Sequence, residues 1–164
     1  IARKESWEDN DYTSARVISR GMGDFQYGRF EIRAKVPAAR GTWPAIWMMP
    51  SDWEFADGGW PDIGEIDIME HVGHDPGVIH ASAHSRDYQW QKGTQKTGTI
   101  QVPTATSEFH TYTLEWSEAR LAAYLILNIA VGGEWGMVKG IDEAAFPQTM
   151  EVDYVRVYKP VIDS

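Results

Sequence analysis

Arg29-Phe30-Glu31-Ile32-Arg33-Ala34-Lys35-Val36 puts an apolar residue at every second position with a charge before each one. Successive strand residues point to opposite faces, whereas a helix would need apolar residues three and four apart. The spacing therefore predicts a β-strand with one dry and one wet face. The same alternation returns in Ile79 to Ser85, Phe109 to Trp116 and Glu151 to Tyr158. Clusters such as Gly21-Met22-Gly23-Asp24 and His74-Asp75-Pro76-Gly77 supply the turns between such runs. Short strands at this spacing imply an all-β sandwich or barrel. One stretch disagrees. Ser117 to Ala130 (SEARLAAYLILNIA) is rich in Ala, Leu, Arg and Glu, and propensity alone makes it a helix.

The 164 residues are expected to form one domain over 1–164, with no repeat, low-complexity tract or linker. At 43% apolar and 24% charged residues the chain has enough apolar surface to fold. There is no run of eighteen apolar residues. Ile1-Ala2-Arg3-Lys4-Glu5 has no apolar leader, so neither a membrane span nor an intact signal peptide is expected. Fifteen basic against twenty-four acidic residues give a net charge of -9, a field that repels phosphate backbones and anionic headgroups. Nucleic acid and membrane are thereby excluded as expected partners. Without cysteine there is no disulfide or thiolate chemistry, which is silent about compartment. Eight Trp, about half in Gly/Pro-rich stretches, read either as core or as flat platforms.

The chemistry concentrates in Trp60-Pro61-Asp62-Ile63-Gly64-Glu65-Ile66-Asp67-Ile68-Met69-Glu70-His71. On a regular strand Glu65 and Asp67 share a face and Glu70 points to the other. A β-bulge with Met69 as its extra residue returns Glu70 to their side, and bulges re-aim side chains beside active sites. Three carboxyls on one face repel, so at neutral pH one must stay protonated. Glycoside hydrolysis needs such a split pair: a carboxylate that attacks the anomeric carbon and a carboxylic acid that protonates the departing oxygen. A solvated strand face or a metal site built from these oxygens is the other reading of the same pattern.

Gly64-Glu65-Ile66-Asp67-Ile68-Met69-Glu70-His71-Val72-Gly73 resembles the active-site strand of glycoside hydrolase family 16, in the bulged form E-x-D-x-x-E of bacterial laminarinases. The resemblance runs from about Arg3 to Lys159. It includes Tyr12-Thr13-Ser14-Ala15-Arg16, Tyr27-Gly28-Arg29-Phe30-Glu31, Gly41-Thr42-Trp43-Pro44-Ala45-Ile46-Trp47-Met48, Leu127-Asn128-Ile129-Ala130-Val131-Gly132-Gly133 and Asp153-Tyr154-Val155-Arg156-Val157-Tyr158. It implies a concanavalin-like β-jelly-roll sandwich of two antiparallel sheets with a concave substrate cleft. It further implies endo-hydrolysis of β-1,3-glucan with retention, Glu65 as nucleophile, Glu70 as acid/base and Asp67 as the assisting acid. A secreted monomer acting on a β-glucan polysaccharide is expected, with no cofactor for catalysis. Asp153 matches a position that implies a structural calcium on the convex face. The family's early strands and a stretch after Leu121 have no counterpart in the sequence, so the chain is expected to lack an N-terminal segment and a segment after Leu121. Residues 117 to 130 are then expected to join two strand fragments rather than form a helix.

The remaining candidates are substrate contacts. Trp43 and Trp47, four apart on a strand-like stretch, share a face suited to stacking on sugar rings, with core packing as the alternative. The resemblance places Trp60 against the sugar next to the cleavage point. His71 and His84 are read as donors to sugar hydroxyls or to the nucleophile, or as satisfied polar residues. Arg16 is a candidate to hold hydroxyls, and Trp135 to line a cleft end. Among the alternatives, a non-catalytic carbohydrate-binding jelly roll has no reason to keep three acids on one face. Enzymes on the same scaffold that cut mixed-linkage glucan or marine galactans remain open.

Overall fold

A computed structural model describes residues 1–54, 59–117 and 122–159. Two antiparallel sheets pack face to face. The strand expected at Arg29–Val36 is β5 (Gly28–Lys35) in the first sheet, flanked by β10 (His110–Trp116) and β12 (Glu151–Tyr158) in the order β10-β5-β12. Phe30, Ile32 and Ala34 are wholly buried, while Arg29, Glu31, Arg33 and Lys35 point outward.

The second sheet runs β3 (Arg16–Ile18), β11 (Ala123–Val131), β6 (Thr42–Pro50), β7 (Glu65–Glu70), β8 (Val78–His84) and β9 (Lys96–Gln101), with the short β4 (Asp24–Phe25) also on β11. A hairpin of β1 (Arg3–Trp7) and β2 (Asn10–Thr13) stands apart from both sheets. Ile46 and Met48 of β6, Ile68 and Met69 of β7, Ile79 of β8 and Leu125 of β11 close on Phe30 and Ile32 to form the core. Each such side chain contributes roughly 1.5–3 kcal/mol by leaving water.

The helical propensity of 117 to 130 loses to this packing. Residues 118–121 lie outside the described ones, but Ala123–Val131 is a nine-residue strand, and its pairing with β6 runs from Ala123 opposite Pro50 to Val131 opposite Thr42. Ala123 and Leu125 bury in the main core, which only an extended chain between β3 and β6 allows.

β7 is bulged, with one correction to the expected position. Against β6, Ile46 faces Met69 and Trp47 faces Asp67, so the residue without a partner there is Ile68, not Met69. Against β8, Asp67 faces Ser82 and Glu70 faces His80, so Ile68 and Met69 together span the place of Ala81. Both are apolar and both turn into the core, at 7% and 0% exposure, because the adjoining sheet offers room for two side chains and the cleft offers water. That in-in step restores Glu70 to the side of Glu65 and Asp67. A glycine stands at each end of the motif. Gly64 turns into β7 with a φ of 88°, a region L side chains rarely adopt. At Gly73 a Cβ would lie 1.8 Å from the Ala39 carbonyl oxygen.

Candidate active site

Alternation carries the cleft face outward from β7. Trp43, Ala45 and Trp47 of β6 lie on one flank, and His80, Ser82 and His84 of β8 on the other. Glu65, Asp67 and Glu70 lie between them. Register puts Glu65 opposite His84, Asp67 opposite Ser82 and Glu70 opposite His80.

The three carboxyls have unequal surroundings. Trp60 Nε1 donates to Glu65 Oε2 at 2.8 Å, and Trp43 Nε1 donates to Glu70 Oε1 at 2.9 Å. Asp67 is 4% exposed, and its Oδ2 accepts no hydrogen bond. His84 Nε2 lies 3.2 Å from that oxygen, within ion-pair range but without hydrogen-bond geometry. Burial pushes the Glu65 carboxyl up to about 7, with the neighbouring Asp67 charge adding to it. Burial and then the Glu70 charge push Asp67 up to about 8. Glu70 is raised too, first by burial, against the opposing pull of the Trp43 hydrogen bond. An indole donor favours the ionised form of a carboxyl and loss of water disfavours it. Asp67, which has no indole donor, is therefore raised further than Glu65. The cluster titrates as a unit and retains a proton at neutral pH.

The sequence candidates fall into three groups. Trp43, Trp60, His84 and Trp135 line the larger arm of the cleft, about 640 Å³, with Glu65 and Glu70 at its inner end. Trp135 comes from the short helix Gly133–Gly136 and meets the Trp43 ring edge-on, with ring centroids 5.5 Å apart. Arg16 and Trp47 line the second arm, on the far side of the same carboxyls, with Asn128. There the Arg16 guanidinium covers the Trp47 ring at 4.7 Å, and Trp47 Nε1 donates to Asn128 Oδ1 at 2.7 Å. One face of the Trp47 ring is thus already occupied.

His71 and Asp153 stand elsewhere. His71 has no exposed surface; its Nε2 accepts the Gly77 N–H at 3.3 Å, and burial lowers it to about 4, so it is a neutral interior group that no sugar hydroxyl reaches. The residue after Glu70 in an extended chain points away from the cleft, which the sequence reading overlooked. Asp153 sits at a register shift of β12, and Arg33 donates to its Oδ2 at 2.6 Å. It belongs to no group of His, Asp or Glu side chains able to share an ion among the described residues. A guanidinium on its carboxylate does not fit a calcium ligand. The group that could hold a metal is Glu65, Asp67 and His84, whose ligand atoms lie within 4.8 Å of one another.

Sequence reasoning missed His80, Ser82, Gln95, Thr97 and Trp90, all of which line the larger arm. For His80 and Ser82 the signal was present, since they share parity with His84 on an expected strand. Gln95 and Trp90 lie on a loop, where periodicity says nothing.

A family model described as glycosyl hydrolases family 16 matches residues 4–152. A beta-glucanase of Rhodothermus marinus is 44% identical over 96% of this chain and 66% of its own length, so the chain spans just under two thirds of that relative. The crystal structure of the laminarinase from Rhodothermus marinus superposes with a TM-score of 0.92 at 45% identity, covering 96% of this chain and 75% of that one. A mutant of SCLam, described as a non-specific endo-beta-1,3(4)-glucanase and co-crystallised with 1,3-beta-D-cellotriosyl-glucose, superposes with a TM-score of 0.89 at 40% identity, over 97% of this chain and 73% of that one.

Proposed function

This chain belongs to glycosyl hydrolases family 16, and on that premise we propose that it cuts β-1,3-glucan internally, with retention of configuration at the anomeric carbon. The observation that carries the reading is the carboxyl cluster: three acids on one cleft face, the buried Asp67 without a hydrogen bond at Oδ2 between the half-buried Glu65 and Glu70, each held by an indole donor. Glu65, fixed by Trp60, is the nucleophile. Its carboxylate bonds to the anomeric carbon as the glycosidic C–O bond breaks, and Glu70 gives its proton to the departing oxygen. Water then attacks the same carbon, returns a proton to Glu70 and frees Glu65. Asp67 holds a proton beside Glu65, which keeps the cluster from accumulating three negative charges. A metal site on Glu65, Asp67 and His84 has less support, because the Glu65 oxygen facing Trp60 is already bonded to an N–H.

The flat rings of Trp43, Trp60 and Trp135 suit the apolar faces of sugar rings, and the hydroxyls and amides around them suit the ring edges. A mixed β-1,3/1,4-glucan is the second reading, favoured by the likeness to SCLam. Digestion of laminarin, lichenan, agarose and carrageenan, read by product size, tests both. Short oligosaccharides from laminarin are expected. Intact laminarin beside cleaved agarose or carrageenan would refute the assignment.

A further inference from the structure

Two indoles donate to the two outer carboxyls of the cluster, and they are held differently. Trp60, which donates to Glu65, is 36% exposed. Trp43, which donates to Glu70, is half-buried and boxed in by the short helix Gly133–Gly136. A Cβ on Gly133 would lie 3.4 Å from Trp43 Cζ3, and one on Gly136 would lie 3.3 Å from Trp43 Cβ, so the helix backbone rests directly on this tryptophan. The segment is clipped to the residues that lead into β6. The Gly132 N–H donates to the Gly41 carbonyl at 2.9 Å, and the Asp142 N–H to the Arg40 carbonyl at 3.0 Å. Trp135 closes the box: its ring crosses that of Trp43 at 77°, and crosses the His80 ring at 89° with centroids 4.7 Å apart. Such crossed pairs set the positive edge of one ring against the negative face of the other and favour one orientation. His80 stands opposite Glu70 on β8, so the contacts run from Glu70 through Trp43 and Trp135 to His80 and return to the register position of Glu70. Burial lowers the His80 imidazole, against the opposing pull of Asp75, and its Nε2 has no hydrogen-bond partner, so it braces Trp135 as a neutral ring.

Carboxyl chemistry gives this bracing its consequence. A protonated carboxyl donates from one oxygen and accepts at the other. With the Trp43 N–H on Glu70 Oε1, the proton available for transfer sits on Oε2. Once that proton has gone to a departing oxygen, the same N–H stabilises the carboxylate that must next take a proton from water. Misplacing such a group by about 1 Å costs roughly 100-fold in rate. The orientation of one indole therefore bears on both halves of the reaction.

We propose that Trp135 and Gly136 are positioning residues for proton transfer: with His80 behind Trp135, they fix the Trp43 indole so that its N–H occupies Glu70 Oε1 and leaves Oε2 to protonate the departing oxygen. The proposal rests on the reading of Glu70 as acid/base. Aryl laminaribiosides with phenyl, nitrophenyl and dinitrophenyl leaving groups test it, because a better leaving group needs less protonation while the sugar stays the same. Glu70→Ala sets the reference: kcat/KM is expected to fall by roughly 1000-fold on the phenyl glycoside and by less than about tenfold on the dinitrophenyl one. Trp135→Ala is expected to lose roughly 30-fold on the phenyl glycoside and less than about threefold on the dinitrophenyl one. Trp135→Phe, which keeps a ring edge against Trp43, should recover most of that loss. Gly136→Ala keeps the Trp135 ring and adds one methyl against Trp43; a loss of about threefold to tenfold, confined to the poorer leaving groups, is expected. Losses that do not depend on the leaving group, or no loss, in either folded variant would overturn the positioning role and leave that of Glu70 intact. A Glu70→Ala protein as active as wild type on the phenyl glycoside would overturn both.

Discussion

The two sheets carry charge in opposite ways. On the outward face of β5, Arg29 pairs with Glu31 at 2.8 Å and also contacts Glu115, Arg33 pairs with Asp153 at 2.6 Å, and Lys35 with Glu151 at 2.6 Å. Each cation has an acid on the same or the adjacent strand, and Arg29, Glu115, Glu151 and Asp153 are exposed while Glu31, Arg33 and Lys35 are half-buried. On β7, two strands inside the edge of the opposite sheet, Glu65, Asp67 and Glu70 are largely withdrawn from water, and among the described residues no Lys or Arg pairs with them. Exposed pairs contribute little to stability and keep a sheet face wet. Buried like charges cost stability and hold their protons into the neutral range. The contrast separates a sheet face whose charges are paired from one whose carboxyls hold their protons.

Glu65→Gln attacks the concave cluster most directly, since it removes a charge and almost no volume. Turnover of laminarin is expected to fall by roughly 10⁴-fold or more, with the circular dichroism spectrum unchanged; activity within about tenfold of wild type would remove Glu65 from the nucleophile role. One residue inserted after Met69 is the next largest perturbation. It shifts Glu70 to the opposite face, and activity is expected to drop to about a hundredth or less. Normal hydrolysis by a folded insertion variant would show that strand register does not place the acid.

Asp67→Asn sharpens the electrostatic side of the comparison. Asp67 holds the proton that the cluster keeps at neutral pH, so Asp67→Asn removes that proton store, and kcat/KM at the optimum is expected to fall by roughly 10–100-fold. The sign for stability follows from the same groups. Carboxyls raised to about 7 and about 8 bind protons more tightly in the folded chain. Their contribution is fully present below the ordinary carboxyl range and is lost as pH rises through about 8. The melting temperature of the wild type should therefore fall between pH 5 and 8, and Asp67→Asn should flatten that slope; an identical slope in both proteins would contradict the assignment. Arg33→Ala on the convex sheet is the smallest perturbation. Chemical denaturation should show a change of less than about 1 kcal/mol, with hydrolysis unaffected.

Wherever side-chain parity was clear, the sequence was a good guide. The charges of β5 and the positions of Glu65 and Asp67 follow from period two alone, and the need to bring back Glu70 required a bulge. Its location did not follow, because Ile68 and Met69 are both apolar and either satisfies the pattern; only the partners Ile46 and Ala81 distinguish them. At Ser117 to Ala130 propensity alone pointed to a helix and the family resemblance to strand fragments; Ala123–Val131 is a strand, because burial between two strands overrides a weak prior. His71 misled through its neighbours: closeness to Glu70 in sequence puts it on the other side of the chain, inside the protein. Trp90 was invisible, since what presents it to the cleft is a web of loop hydrogen bonds without periodicity.

The central claim is that Glu65 and Glu70 act from one face as nucleophile and acid, which fixes the stereochemistry of the product. In a retaining pair the two carboxyl groups stand about 5–5.5 Å apart, too close for a water to fit between the second carboxylate and the anomeric carbon. Proton NMR of laminarin during the first minutes of hydrolysis, before mutarotation, reads the outcome. New reducing ends that appear first as the β-anomer are the predicted result; α-anomers appearing first would contradict the account.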